Sequence, residues 1–263
     1  MPSVLIIGAH PDDAEVKGAG TTCRWVEHGI RVTFAIMTDG SAGHHQMSAN
    51  DLVARRLAEA KESATRLGAA VEWLGYPDGL LVPSLEARLD VIRLIRRTKA
   101  DLVLTHRPAD YHPDHRYTAQ IVQDAAYMVT VPRIAPEVPI LKHNPIFGYF
   151  HDRFTKPTPF TPHVVVPVDD YVERIVHSLD AHASQFYEWL PHNMGILNQI
   201  PTDPNARQQQ LKEWFVGRYC LKSSELSPGS APPKSSFVEA WEISEYGSPL
   251  TPESRRQLFP FLD

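Results

Sequence analysis

A short apolar run that ends in one histidine and two adjacent aspartates is the most constraining feature of the sequence. Residues 4–8 have the length and β-branched character of a buried strand, and residues 9–15, AHPDDAE, follow directly. Zn²⁺ accepts histidine nitrogen and aspartate oxygen, and a catalytic zinc site needs about three protein ligands and an open position for water. His10 and Asp13 could supply two ligands, and Asp12 would then be free to take a proton from the water.

A second motif could supply the third ligand. YHPDH at 111–115 follows another strand-like run at 102–105. Each His-Pro-Asp alone could be an ordinary turn, because proline fixes φ and aspartate bonds its own backbone. However, the two motifs occupy equivalent positions, and ligands of open α/β sheets collect at the carboxyl ends of the strands. Together the motifs predict a metal site.

Strand-like and helix-like patterns alternate over the first half of the chain. Such alternation is typical of right-handed βαβ units. We therefore expect an α/β, Rossmann-like fold with a mostly parallel sheet and helices on both faces, followed by additional strands and helices in the C-terminal part. Strands are predicted at 3–8, 31–37, 70–74 and 101–105 with helices at about 14–28, 50–67, 84–98 and 116–129, and later strands at 146–150, 163–168 and 237–243 with helices at 170–187 and 206–221.

Composition favours one domain, residues 1–263, because 43% hydrophobic residues can form a large α/β core. The net charge of −5 leaves no basic surface for nucleic acid or an anionic membrane.

Cys23 and Cys220 are far apart in sequence, so we expect buried thiols rather than a disulfide framework. The chain begins without the basic lead or cleavage site of a signal peptide, and no segment is apolar over the roughly 18 residues that span a bilayer, so a cytoplasmic location is expected.

Through AHPDDAE at 9–15 and HPDH at 112–115, the chain resembles the LmbE-like (PIG-L) superfamily of zinc-dependent de-N-acetylases. One difference is Ala14, which separates the aspartate pair from Glu15, whereas family members often have glutamate directly after the pair. Weaker similarity extends the resemblance over nearly the whole chain, at 38–40, 56–59, 74–79, 182–185 and 239–242.

The resemblance implies a metal-dependent hydrolase that removes the acetyl group from an N-acetylated amino sugar of the N-acetylglucosamine type, or from its conjugate. A water molecule made acidic by the metal would lose a proton to the base and attack the acetamide, releasing acetate and a free amine. By position, the resemblance assigns the metal to His10, Asp13 and His115, the general base to Asp12, and the acid or electrostatic partner, as imidazolium, to His112 steadied by Asp114.

Arg56 and Asp39 are further candidates, for substrate binding. Arg56 resembles a family arginine that contacts sugar hydroxyls, although it could equally form an ion pair with Glu59 three residues later. Asp39 and Asp78 each end a strand-like run and could face the pocket, but Asp-Gly is also common turn chemistry.

Proline-rich stretches at 130–145, 189–205 and 222–236 could form a lid, a sugar-stacking surface or the interface of a homo-oligomer.

A metal-dependent phosphoesterase and a non-catalytic carbohydrate-binding relative are the alternatives. The chain lacks the glycine patterns of dinucleotide and P-loop sites, and adjacent aspartates would repel phosphate unless a cation intervened. A serine nucleophile is disfavoured because no G-x-S-x-G occurs. A non-catalytic relative would be expected to have lost Asp12 or His112, and both are present.

Two histidines and one carboxylate suit Zn²⁺ but also hold Fe²⁺, Co²⁺ or Ni²⁺.

Overall fold

Eight strands form one mixed sheet in the part of the chain that the computed structural model describes, residues 1–226 and 235–262. The first five strands pair in parallel, and antiparallel pairing begins only at the C-terminal end of the chain. The strands are β1 (Ser3–Gly8), β2 (Arg31–Thr38), β3 (Ala70–Tyr76), β4 (Leu102–Thr105), β5 (Ile146–Phe150), β6 (Val164–Pro167), β7 (Leu221–Lys222) and β8 (Phe237–Ile243).

The strand order is β3-β2-β1-β4-β5-β8-β6, and β7 pairs with β8. The chain moves outward from β1 to β3 and then returns to the other side of β1 to form β4. The order therefore reverses between β1 and β4. In open α/β sheets such a reversal leaves a crevice at the carboxyl ends of the two strands. Both histidine motifs follow these two strands, so the topology brings them to one place.

Helices cover both faces of the sheet. The sequence encodes their starts locally: the Ser48 and Ser84 hydroxyls cap the second and third helices by accepting hydrogen bonds from the Asp51 and Ala87 backbone N–H groups. The helices are α1 (Asp13–Glu27), α2 (Ala49–Leu67), α3 (Leu85–Thr98), α4 (Pro113–Ala125), α5 (Val172–Leu179), α6 (Leu190–Asn193), α7 (Pro204–Trp214) and α8 (Pro252–Leu258), with π-helical segments at Ser184–Trp189 and Phe215–Tyr219.

The core has two layers, one on each face of the sheet. Along β1, Val4 and Ile6 pack in the layer that includes α1, α2 and α5, whereas Leu5 and Ile7 pack in the layer that includes α3 and α4. All four side chains are fully buried, which stabilises the fold by about 1.5–3 kcal/mol for each side chain. Because both faces of β1 are covered, its sequence is a continuous apolar run rather than an alternating one.

The predicted fold class is confirmed, and most predicted elements lie close to their observed positions. The single helix predicted at 170–187 is wrong, because α5 ends at Leu179 and the chain continues as a turn and a π-helical segment. The helix predicted at 116–129 begins earlier, at Pro113, where proline suits the first helical turn. Cys23 and Cys220 are buried free thiols, as expected.

Two further sequence predictions concern a proline-rich stretch and the absence of a membrane-spanning segment. The proline-rich stretch predicted at 222–236 includes 227–234, which lie outside the described residues. None of the helices in the described part of the chain has both the length and the apolar character required to cross a membrane.

Candidate metal centre and active-site cavity

The turn after β1 is tightly packed and carries two of the predicted ligands. A Cβ at Gly8 would lie 2.8 Å from the Asp13 Cβ, so the turn requires glycine there. The Thr38 hydroxyl and backbone N–H both donate to the Ala9 carbonyl, at 2.8 and 2.9 Å. Asp12 follows with φ of 117°, a conformation that residues with a Cβ rarely adopt. This backbone places Asp12 and Asp13 side by side at the start of α1.

The three predicted ligands lie close together. His10 Nδ1 and His115 Nε2 are 3.3 Å apart, and each lies 3.6 Å from a carboxylate oxygen of Asp13. Ligand atoms at 2.0–2.2 Å from a tetrahedral Zn²⁺ are about 3.4 Å apart from one another. The spacing therefore fits a small divalent ion held between the loops that follow β1 and β4.

Carboxylates contact the far nitrogen of each histidine. His10 Nε2 lies 3.2 Å from both Asp78 Oδ1 and Asp114 Oδ2, and His115 Nδ1 lies 3.1 Å from Asp110 Oδ1. Burial opposes the charged form of His10, but hydrogen bonds to the surrounding carboxylates, Asp114 first, raise its pKa well above the usual value. Such partners fix a ligand's ring orientation and strengthen its binding to a metal.

Asp114, expected to steady His112, contacts it through its backbone N–H and not through its carboxylate. Asp114 Oδ2 instead accepts a hydrogen bond from the Gly79 backbone N–H at 2.7 Å and contacts His10. His112 is the N-cap of α4, and its Nδ1 accepts a hydrogen bond from the Asp114 backbone N–H at 3.2 Å. Burial, followed by the proximity of His10 and His115, lowers the pKa of His112. These effects favour a neutral ring that carries its proton on Nε2, rather than the expected imidazolium.

Asp12 and Asp13 differ in how readily they ionise. Burial and the neighbouring charge of Asp13 raise the pKa of Asp12 to about 7. Burial acts in the same direction on Asp13, but His115 and His106 outweigh it and hold the pKa of Asp13 well below its usual value. The site thus combines an ionised carboxylate suited to bind a cation with a second carboxylate whose affinity for a proton is matched to neutral pH.

A cavity of about 630 Å³ opens beside these residues and is lined by Arg56. Arg56 is 3% exposed, and its guanidinium donates to the Gly43 carbonyl at 3.0 Å and to the Gln185 side chain. Arg56 does not pair with Glu59, which accepts instead from Arg55 Nε at 2.9 Å. The alternative of a local ion pair is therefore wrong, and the arginine side chain lies at the cavity wall.

Asp39, predicted to bind substrate, lies behind the cavity wall. Its Oδ1 accepts hydrogen bonds from the backbone N–H groups of Ser41 and Asp78, at 2.9 and 3.1 Å. It therefore holds two loops together, and the described lining of the cavity does not include it. Asp78 is the carboxylate that reaches the cavity, on the same side as Gly79.

Sequence reasoning missed two residues that support the predicted ligands. His106 had no role, yet its Nε2 accepts from the Ala9 N–H at 3.1 Å, and its ring stacks on that of His115 at 4.0 Å. Asp110 was also missed, although its place two residues before His112, in the loop that follows β4, was an available signal. His106 gave no such signal, because its spacing to the other histidines matches no ligand pattern.

Glu15 and His182 form a buried pair next to the site. His182 Nε2 lies 3.0 Å from Glu15 Oε1, and both side chains are almost fully buried. His182 lies in one of the segments of weaker family similarity, and the structure gives it a carboxylate partner. The charge of His182 also lowers the pKa of Asp12 and so offsets part of the effect of burial. Glu15 thus influences the site through His182, in spite of the inserted Ala14.

Comparisons with known proteins find a matching family model and relatives of similar sequence. Residues 5–126 match the model of the PIG-L family, described as GlcNAc-PI de-N-acetylase. A diacetylchitobiose deacetylase from Thermococcus kodakarensis is 29% identical, with 73% of this chain and 75% of the relative covered. A probable N-acetyl-alpha-D-glucosaminyl L-malate deacetylase from Bacillus anthracis is 30% identical, with 70% and 81% covered.

A solved structure shows the same fold. The N,N'-diacetylchitobiose deacetylase of Pyrococcus horikoshii superposes with a TM-score of 0.71 at 23% identity, covering 92% of this chain and 83% of that one. The shared fold, the matched family model and the extent of sequence similarity lead to one conclusion: the chain belongs to the PIG-L family.

Proposed function

We propose that this protein is a metal-dependent deacetylase that hydrolyses the acetamide of an N-acetylated amino sugar, or of a conjugate that contains one. The observation that carries the proposal is the convergence of His10, Asp13 and His115 at the wall of one cavity, with Asp12 and His112 beside them. The named relatives act on acetylated amino sugars, which supports this substrate class.

His10 Nδ1, His115 Nε2 and Asp13 would hold the metal, and we propose zinc. Two imidazoles and one carboxylate form the donor set of several catalytic zinc sites and leave one position open. When bound, the ion would acidify a water molecule and polarise the acetamide carbonyl. The carboxylates behind the two histidines keep the ligand nitrogens directed at this position.

Asp12 is the proposed general base. Its carboxylate lines the cavity next to Asp13 and makes no side-chain hydrogen bond at the start of α1. A base is most effective when its pKa lies near the working pH, and burial brings Asp12 to about 7. The backbone conformation at Asp12 directs this carboxylate away from the helix amides that an N-terminal aspartate would normally cap.

His112 is the proposed donor to the reacting carbonyl. Because its Nδ1 accepts a backbone hydrogen bond, the neutral ring presents Nε2–H as its only N–H donor. That donor can stabilise negative charge on the carbonyl oxygen. Delivery of a proton to the departing amine would require the imidazolium form of His112. Arg56, which also lines the cavity, is proposed to bind polar groups of the sugar.

A cytoplasmic location is also proposed. The two buried free thiols, Cys23 and Cys220, are compatible with a reducing compartment. The proposed ligand is a small N-acetyl sugar rather than nucleic acid, in keeping with the net charge of −5.

Acetate release from a panel of N-acetyl sugars tests the activity directly. We expect the metal-loaded protein to release acetate from at least one N-acetylglucosamine derivative and to lose this activity with a chelator. Phosphate release from sugar phosphates, with no acetate from any N-acetyl sugar, would establish the phosphoesterase alternative instead.

A further inference from the structure

Three cationic side chains line the catalytic cavity, Arg56, Lys17 and Arg153, and only Arg56 has been given a role so far. The second is Lys17 on α1, which lines the same cavity. Lys17 is four residues after Asp13, so it lies one helical turn further along the same face of α1. It therefore stands near the proposed metal position without belonging to the ligand set.

The ammonium group of Lys17 has unused hydrogen-bonding capacity. It donates to the His151 carbonyl at 2.9 Å, and an ammonium group carries three donors. Within the described residues, no carboxylate lies within 4.0 Å of it, which distinguishes it from its basic neighbours. Arg107 pairs with Asp152 at 2.9 Å, and Arg153 pairs with Glu225 at 3.0 Å.

The charge of Lys17 is compensated only from a distance. Burial lowers the pKa of Lys17, whereas Asp13, Asp152 and Asp110 act in the opposite direction. Once Asp13 binds a divalent ion, its negative charge is shared with that ion and compensates Lys17 less. A partly buried ammonium group without a close counter-ion is costly, so an anion bound in this part of the cavity would be stabilised.

We propose that Lys17 is a specificity-determining residue that binds an anionic group of the substrate, a carboxylate or a phosphate. This inference rests on the proposed function, because it concerns the same cavity. A lysine ammonium acts as a point charge and therefore recognises either anion without demanding the planar geometry that arginine prefers. The preferred substrate is then an acidic derivative of the amino sugar.

The anionic group could be attached to the sugar at its anomeric position or could belong to the acyl group. Space for an anomeric substituent exists, because a groove of about 620 Å³ adjoins the cavity. The cavity and the groove share Tyr111 and Phe154, which are exposed aromatic side chains at the boundary between them. In both cases Lys17 would bind the same kind of anionic group. Probes that carry the anion at the anomeric position or on the acyl group distinguish the two cases.

The test compares matched neutral and anionic probes. The anomeric arm uses N-acetylglucosamine 1-phosphate against methyl N-acetylglucosaminide, and a glycoside of glycolic acid against its amide. The acyl arm uses N-succinylglucosamine against its terminal amide. We expect the wild-type, metal-loaded protein to prefer the anionic member of at least one pair by about 10- to 100-fold in kcat/KM, as charge-assisted hydrogen bonds allow.

Lys17→Met keeps the length of the side chain and removes its charge. We expect the preference for the anionic probe to fall to about one in this variant, whereas Lys61→Met, an exposed position on α2, should keep the wild-type preference. The ratio within a pair is decisive, because any general effect of the substitution on folding or metal binding acts equally on both members.

Two results would overturn the proposal: no preference for any anionic probe in the wild type, or a preference that survives Lys17→Met. If no probe is hydrolysed at all, the proposed function fails, and calorimetric titration of the probes into the metal-loaded protein still decides the role of Lys17. In that measurement, tighter binding of an anionic probe that is lost in Lys17→Met supports the proposal, and equal binding of both probes refutes it.

Discussion

Two groups of three histidines in the described part of the chain differ in the arrangement of their rings and in their carboxylate partners. In the first group, His10, His112 and His115, the ring planes are inclined to one another by 35° to 85°, and candidate ligand atoms lie within 4.8 Å of one another. In the second group, His44, His45 and His192 stack face to face, with His45 and His192 only 3.8 Å apart and 6° from parallel.

Their carboxylate partners differ as well. In the first group, His10 and His115 each contact carboxylates on the nitrogen away from the proposed metal. In the second group, Glu188 contacts His44 at 2.9 Å and also binds Arg55, so its charge is already compensated. The first group is therefore the better candidate for a metal site, because its nitrogens converge and carboxylates lie behind the rings of His10 and His115.

The largest expected effect is the loss of metal from the first group alone. Asp13→Ala and His115→Ala each remove a ligand, so we expect elemental analysis to find about one divalent metal per wild-type chain and none in either variant. His45→Ala and His192→Ala are the matched controls and should retain the metal. If Asp13→Ala and His115→Ala retained the metal, or if the control variants lost it, the proposed difference between the two histidine groups would be wrong.

The next largest effect separates the base from the ligands. Asp12→Asn keeps the shape of the side chain but removes the proton acceptor, so we expect kcat to fall by roughly 10²- to 10⁴-fold while the metal is retained. Steady-state kinetics together with metal analysis of the same preparation measure both quantities. Near-normal turnover would exclude Asp12 as the base, and loss of metal would place it among the ligands.

A smaller effect concerns the carboxylates behind the histidines. Asp110→Asn and Asp114→Asn should each weaken metal binding by about 10- to 100-fold, because they no longer orient and polarise a ligand ring. Competition with a chromogenic chelator measures this change. Glu188→Gln, which removes the carboxylate of the stacked group, should leave the metal affinity unchanged. An equal loss in all three variants would indicate a general effect on folding.

The smallest effect is a pH dependence of stability from the stacked group. Burial, followed by the proximity of His192 and His44, lowers the pKa of His45 below 6.5 in the folded protein. The unfolded chain therefore binds a proton more readily, so this contribution to stability is complete above pH 6.5 and is lost as the pH falls through the folded pKa. We expect the decrease in Tm from pH 7.5 to 5 to be smaller in His45→Gln than in the wild type. An unchanged or larger decrease would contradict the assignment.

Much of the candidate site could be predicted because its side chains come shortly after the ends of two strands. Residues 9–15 directly follow β1, and residues 111–115 lie shortly after β4. Local patterns therefore located His10, Asp12, Asp13 and His115. The orientation of Asp114 could not be predicted, because it depends on Gly79, 35 residues away. The contacts of Arg56 with Gln185 and of His182 with Glu15 span still longer separations, 129 and 167 residues, which no local pattern encodes.

The fold shows the same division between local and distant information. The βαβ half of the chain has strong periodicity, and its strands and helices lie near their predicted positions. The C-terminal half depends on antiparallel pairing with β8, which brings β5, β6 and β7 together from distant parts of the chain. That residues 1–263 form one domain stays a prediction, supported by the continuous sheet, and a single cooperative unfolding transition would be expected.

At Asp12, the residue proposed for catalysis is not the residue that would make the fold most stable, because its backbone is left-handed. A conformation with φ of 117° costs an aspartate of the order of 1–3 kcal/mol, and burial of its carboxylate without a capping hydrogen bond adds to this cost. Glycine would adopt the same turn without that strain. Selection for heat resistance alone would therefore replace the proposed base, so persistence of aspartate here in thermally selected variants would be a sign that activity is being maintained.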